Sequence, residues 1–224
     1  MSFDIIIGST GRMSKELQLA YQLGKKHFKL YSQKAEASQK VEDFKGASGI
    51  IDFSTPSTSE SVLTKALEAK CPLVVGTTGW GSEEKRRNIY AAASKEIPIV
   101  IDSNFSIGIE LLCQSLERVV RLSDSQIGIL DIHHEHKKDA PSGTAIKIQA
   151  RLKAIKPHAE IRIQDFRIGE IAGEHRVILS WGDEYLEFTH RAQSRKIFAE
   201  GAMRALDWLK IQSPGLYSME DVLK

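Results

Sequence analysis

The 224 residues, 42% hydrophobic and 27% charged, have ordinary globular composition, enough for one large or two small domains. A formal net charge of +2 is close to balanced and argues against a dedicated nucleic-acid binder. Two cysteines, Cys71 and Cys113, suit packing in a reducing compartment better than a disulfide framework. The run from Met1 to Gly8 has neither a basic lead nor a long apolar stretch. No later segment approaches the roughly 20 apolar residues of a membrane span, so a cytoplasmic chain is expected.

Phe3 to Ile7 reads as a short strand ending at Gly8, and Arg12 to Leu23 as a helix through Leu17, Leu19, Ala20 and Leu23. The turn between them, Gly8-Ser9-Thr10-Gly11-Arg12-Met13, is not a strict Gly-x-Gly-x-x-Gly. It still meets the physical need, because glycines let the backbone approach a pyrophosphate and the next helix aims its amino end at that charge. A second strand covers His27 to Ser32. An NAD-selective Rossmann protein would place an acidic residue after it, and this chain has Ser32-Gln33-Lys34. With no carboxylate, and with Lys34 available to a 2′-phosphate, NADPH is favoured over NADH. A third strand runs from Gly49 to Phe53, followed by a helix from about Ser59 to Ala69. A fourth strand, Leu73 to Val75, ends in Gly76-Thr77-Thr78-Gly79, which alone is an ordinary turn at the carboxyl edge of a parallel sheet. A helix over Glu83 to Ala93 and a fifth strand over Ile97 to Ile101 follow, then Asp102-Ser103-Asn104-Phe105-Ser106. The alternation predicts a doubly wound, Rossmann-type parallel-sheet domain.

An amphipathic helix from Ile109 to Leu122 opens a second, α+β domain. The strand-like run Ile127 to Ile132 leads into His133-His134-Glu135-His136-Lys137-Lys138-Asp139-Ala140-Pro141-Ser142-Gly143-Thr144-Ala145, whose small residues suit the mouth of a helix beginning near Ala145 and broken near Pro157. Cationic side chains and a helix amino terminus in one loop fit a small anion, and imidazoles there exchange protons near neutral pH. A basic loop is also commonly nothing more than a solvated surface. Metal binding ranks lowest, because Lys137 and Lys138 would repel a cation. A nucleic-acid patch would need wider charge and interleaved aromatics. Strands over Ile161 to Phe166, Glu174 to Trp181 and Glu184 to Ala192, with a hairpin at Gly182-Asp183, predict a mixed sheet with helices on one face. Phe198 to Leu209 is a final helix before Ser213-Pro-Gly-Leu-Tyr.

The run His133 to Lys137 followed by Asp139-Ala-Pro-Ser-Gly-Thr-Ala145 closely resembles the signature of the dihydrodipicolinate reductase (4-hydroxy-tetrahydrodipicolinate reductase) family, of the diaminopimelate route to lysine. Gly8-Ser-Thr-Gly-Arg-Met13 resembles the family's Gly-x-x-Gly-Arg-Met-Gly fingerprint, with Ser14 in place of the last glycine. Gly76-Thr-Thr-Gly79 resembles its Gly-Thr-Thr-Gly loop, and Asn104-Phe-Ser106 a segment that in relatives lies beside the nicotinamide ring. The family usually carries a longer insertion after the second strand. The resemblance implies a dinucleotide domain over 1–104, completed by 193–224, and a substrate-binding and oligomerisation domain over 105–192, with hinges near Asn104 and Gln193 and assembly as a homotetramer. It implies NADPH or NADH contacts from Gly8, Ser9, Thr10, Gly11, Arg12, Met13, Lys34, Gly76, Thr77, Thr78, Asp102, Ser103, Asn104 and Phe105. His133 then looks like the acid/base group and Lys137 the proton donor. His134, Gly143 and Thr144 would hold a carboxylate of a small cyclic dicarboxylate, with His136 and Lys138 in support. Two rival readings are another Rossmann oxidoreductase of amino-acid precursors, which would want a catalytic cysteine, and a nucleotide sensor without turnover, which has no need of a proton donor.

Overall fold

Alternating apolar segments of the first 101 residues form β1 (Phe3–Ile7), α1 (Arg12–Leu23), β2 (Phe28–Tyr31), β3 (Ala47–Asp52), α2 (Pro56–Glu68), β4 (Leu73–Val75), α3 (Glu83–Ala93) and β5 (Pro98–Ile101). The computed structural model describes residues 2–8, 11–31, 41–80 and 82–224. The strands join a late one, β10 (Gly215–Tyr217), in a six-stranded sheet of order β10-β5-β4-β3-β1-β2. Every pairing is parallel. β2 lies on one side of β1 and β3 on the other, so the winding reverses beside β1. That is the location at which open α/β sheets take ligands.

Parallel strands covered on both faces read as continuous apolar runs, and β1 is one. Its Ile5 and Ile7 pack with Val62, Leu63 and Ala66 of α2 and with Tyr90 and Ala93 of α3. The intervening Ile6 is also fully buried. The helix α6 (Lys196–Leu209) packs against α1 and against β3, β4 and β5. Gly49 permits that contact, because a Cβ there would overlap the Leu206 side chain.

The second unit begins with α4 (Ile107–Leu122), capped by the Ser106 side chain, and continues through β6 (Gln126–His133), α5 (Gly143–Ile155), β7 (Ile161–Arg167), β8 (Gly173–Trp181) and β9 (Glu184–Ala192). Its sheet has the order β7-β6-β8-β9. β6 and β7 are parallel and the other pairings antiparallel, which makes it the expected mixed sheet. Ile127, Ile129, Val177 and Leu179 bury one face against Leu112, Leu116, Ile148 and Leu152 of the two helices. The chain thus forms two compact units, Met1–Phe105 with Lys196–Lys224, and Ser106–Arg195.

The sequence reading and the structure differ in a few places, each with a local cause. α2 starts three residues before the expected Ser59, because Thr55 is its N-cap and Pro56 occupies the first turn, where its missing N–H costs nothing. β6 runs one residue past the apolar pattern, to His133. The short β10 and the final α7 (Met219–Val222) were not expected. Three residues are too few to show periodicity, but Ser218 and Asp221 form a capping box, and the pattern Ser-x-x-Asp was there to read.

Candidate functional site

Because the first unit's strands are parallel, the residues that follow β1, β3, β4 and β5 emerge at one edge of its sheet. Gly8 leaves β1 with φ +92 and donates its N–H to Tyr31 O at 2.7 Å. Only glycine tolerates that backbone at little cost. Among the described residues, nothing lies within 4 Å of where a Cβ would stand on Gly8 or Gly11. Gly11 is the N-cap of α1 and provides no side-chain cap, Arg12 is exposed and Met13 half-buried. Bare backbone at the winding reversal, with an uncapped helix start behind it, fits a dinucleotide pyrophosphate. Ser14 is buried and so preserves close helix packing. Ser9, Thr10 and Lys34 lie outside the described residues.

At the same edge Gly76 donates to Asp52 O at 2.8 Å, and a Cβ on it would overlap the Phe53 ring. Thr77 is buried and its hydroxyl accepts from Ser54 N–H at 3.0 Å, whereas Thr78 is exposed. After β5 the Asp102 carboxylate accepts from the N–H groups of Asn104 (3.1 Å) and Met219 (3.2 Å). Ser103 is half-buried and Asn104 buried. Phe105 is fully buried, its ring 5.4 Å from that of Phe53 in an edge contact, a core position.

In the second unit the extension of β6 is backbone-made. Ile168 N–H donates to His133 O (2.8 Å), His134 N–H to Ile171 O (2.8 Å) and Glu135 N–H to Gly169 O (3.1 Å). Strand residues two apart share a face, so Asp131 and His133 both point to the helix-covered side. Register places His175 of β8 opposite Asp131. Asp131 is completely buried, and its two oxygens accept three hydrogen bonds and lie beside two imidazole nitrogens. Ser142 N–H (2.7 Å), Ser142 hydroxyl (2.8 Å) and Arg167 Nη2 (3.3 Å) donate to it. His133 Nδ1 lies 3.0 Å and His175 Nε2 3.2 Å from Oδ1. Burial pushes the carboxyl up, but the bonds from His133, His175 and Ser142 more than offset this and hold it far below the usual carboxylate range. Asp131 is an anion at any working pH.

This network fixes the expected site. Ser142 is the N-cap of α5 and its hydroxyl also accepts from Ala145 N–H at 3.2 Å. Gly143 and Thr144 are therefore the first residues of the helix, two positions earlier than its expected start. His133, His134 and Thr144 are buried, and His136 and Lys138 exposed, so the signature is not a uniformly solvated basic loop. His134 Nε2 lies 3.2 Å from Arg195 Nη2. Lys137 Nζ donates to both oxygens of Asp139, at 2.7 and 2.8 Å. Burial raises the Asp139 carboxyl, but the bonds from Lys137 and from the Gly143 backbone bring it below the ordinary value. A carboxylate thus already sits between the Lys137 ammonium and the mouth of α5. The structure brings His133, His134, Lys137, Gly143 and Thr144 to one end of β6 and α5. Asp131, Arg167, His175 and Arg195 belong to none of the motifs and roles visible in the sequence. The i, i+2 spacing of Asp131 and His133 was a usable signal; the other three arrive through register and loop pairing.

Asp131, His133 and His175 have metal-ligand proximity. The Arg167 guanidinium and the Ser142 N–H and hydroxyl occupy the carboxylate that would have to anchor a cation, and they oppose one. Burial also lowers the basicity of His175 and of His190, whose Nε2 lies 3.1 Å from Ser106 Oγ. Their folded values fall below the ordinary 6.5, so the unfolded chain takes up protons first as pH falls. Their stabilisation is complete above about pH 6.5 and is lost progressively below it. His190→Gln is expected to flatten the fall in melting temperature between about pH 7 and about pH 5.5, measured by thermal unfolding; an unchanged slope would reject the assignment for that ring.

A doubly wound sheet with a bare glycine edge, joined in one chain to an α+β unit bearing buried imidazoles and a helix start that meets a carboxylate, defines a Rossmann-type oxidoreductase. Residues 4–105 match the family described as "Dihydrodipicolinate reductase, N-terminus", and residues 108–223 the one described as "Dihydrodipicolinate reductase, C-terminus". The chain belongs to the dihydrodipicolinate reductase family. It is 35% identical to the 4-hydroxy-tetrahydrodipicolinate reductase of Bdellovibrio bacteriovorus over 221 residues, covering 97% of this chain and 94% of that protein. It is 36% identical to that of Zymomonas mobilis, covering 97% and 95%. Among solved structures, the dipicolinate-bound dihydrodipicolinate reductase from Paenisporosarcina sp. TG-14 matches the fold with a TM-score of 0.80 at 17% identity, covering 99% of each chain.

Proposed function

We propose that this chain reduces 4-hydroxy-tetrahydrodipicolinate to tetrahydrodipicolinate, with loss of water, in diaminopimelate and lysine biosynthesis. Membership of the family carries the reading, and the Lys137, Gly143 and Asp131 constellation supports it. The unit of 1–105 with 196–224 holds NADPH or NADH, through Gly8, Gly11, Arg12, Met13, Gly76, Thr77, Thr78 and the segment Asp102 to Phe105, together with Ser9, Thr10 and Lys34. When bound, the nicotinamide supplies a hydride. The unit of 106–195 binds the cyclic dicarboxylate: Lys137, His134 and the N–H groups of Gly143 and Thr144 meet its carboxylates. Hydride addition to an unsaturated ring carbon leaves an electron pair that must take a proton. Lys137 delivers it, and His133 serves as acid/base group. Mixing the protein with NADPH and freshly generated substrate and following the loss of reduced-nicotinamide absorbance tests the reading. Cofactor binding without oxidation would favour the sensor instead.

A thiol-dependent dehydrogenase is disfavoured by both cysteines. Each is buried, and burial pushes Cys71 to about 12 and Cys113 to about 11, leaving no thiolate nucleophile near neutral pH. Free, buried cysteines also suit a reducing compartment, and we place the enzyme in the cytoplasm; no helix among the described residues is long and apolar enough to cross a membrane. NADPH is expected to bind at least as tightly as NADH, from Lys34 and the missing acid after β2, and tighter NADH binding by titration would refute this. The sheet face of the second unit turned away from α4 and α5 carries Leu130, Ile132, Phe166 and Ile178, half-buried or exposed. This supports a homotetramer, which sedimentation equilibrium would check.

A further inference from the structure

We propose that Asp131 is a positioning residue for proton transfer: its carboxylate holds the His133 ring as the Nδ1–H tautomer and, through the same two oxygens, fixes Ser142 and with it the mouth of α5. The inference rests on the reading of His133 as the acid/base group.

A neutral imidazole has one N–H and one lone pair, and the neighbour of one nitrogen decides which is which. An ionised carboxylate only accepts. With Asp131 Oδ1 3.0 Å from Nδ1, a lone pair on that nitrogen would face a negative oxygen, so the proton resides there and Nε2 is left to exchange protons. The approach is off the axis of a full hydrogen bond, as catalytic contacts without substrate often are. Gly173 flanks the exchanging nitrogen: a Cβ there would come within 3.0 Å of Nε2, so its absence leaves that side of the ring uncovered.

The other donors make the carboxylate rigid. Burial keeps His175 neutral, and its Nε2 lies 3.2 Å from both Asp131 Oδ1 and Ser142 Oγ. Arg167 Nη2 spans Asp131 Oδ2 (3.3 Å) and the Asp139 carbonyl (2.6 Å), tying β7 to the signature loop and balancing the buried charge. One anion therefore orients the proton-exchanging ring and the anion-binding helix start together. Packing alone would not require a charge there, and an apolar residue would leave the Ser142 N–H, the Ser142 hydroxyl and the Arg167 guanidinium facing it.

The test uses the full chain labelled with 15N-histidine, in long-range proton–nitrogen spectra at a pH where the ring is neutral. The His133 signals are identified by their loss in His133→Asn. Expected are the Nδ1–H tautomer in the wild type and loss of that preference in Asp131→Asn, whose amide must turn an N–H toward Ser142 or His133. The kcat of Asp131→Asn should fall by about 10²-fold, with NADPH affinity unchanged. A wild-type His133 in the Nε2–H form overturns the proposal, and decides the matter alone if Asp131→Asn does not fold. So does a variant whose turnover falls while the tautomer stays, or whose tautomer changes while turnover stays. Wild-type turnover in His133→Ala overturns instead the reading on which the proposal stands.

Discussion

His133→Ala and Lys137→Ala are each expected to lower turnover by about 10²-fold or more, the scale for removing a proton-transfer group. The two losses should differ in kind. Lys137 holds Asp139 at 2.7 and 2.8 Å and offers the only ammonium of the signature that is not exposed. Its removal takes away both a proton and a carboxylate partner, so KM should rise as kcat falls. Lys137→Arg separates these effects, because guanidinium keeps the charge but does not release its proton near neutral pH. That variant should recover substrate binding without recovering turnover. His133 is buried beside Asp131 and has no exposed charge to offer, so its loss should fall mainly on kcat. Steady-state rates on the purified variants decide; near wild-type turnover in both would sink the assignment.

Gly201→Ala is expected to destabilise the first unit by about 3 kcal/mol, at the upper end of the usual overpacking range. Two effects compete. Alanine is the better helix former by about 1 kcal/mol, and Gly201 lies inside α6, so propensity alone favours the change. Against it, a Cβ at 201 would overlap the carbonyl oxygen of Phe105. That atom is backbone, held at the end of the β5 connection, and cannot rotate away as a side chain can. Sterics should win, and a lower urea midpoint for unfolding would show it. A midpoint equal to or above wild type would mean that α6 slides to make room.

The residues that were legible from sequence are those whose role is local. The continuous apolar runs of β1 and β4 and the helical periodicity of α1 and α3 marked their bounds directly, because each is decided by residues within a few positions along the chain. The turn at Gly8 was legible for the same reason, whereas the N-cap Ser142 puts the start of α5 two positions before the helix mouth expected near Ala145. His133 reads as a loop residue in the sequence, because its strand character comes from Ile168 and Arg167, more than thirty positions along the chain. His175 looked like any residue of an alternating strand until antiparallel register set it across from Asp131. Arg195 follows β9 with nothing beside it to mark it, and only the fold carries its guanidinium to His134. Chemistry assembled from different strands leaves no spacing to read.

The pairing of Asp139 with Lys137 and the Gly143 backbone has a consequence for how the site fills. With Lys137 and Gly143 as the proposed carboxylate partners, an arriving dicarboxylate would not meet a vacant cation; it would have to trade places with an oxygen pair the chain already keeps there. Affinity then measures the difference between two carboxylates on the same donors, which is smaller than the attraction of either. Asp139→Asn weakens the resident competitor, so the same ligand would hold on longer and release product more slowly.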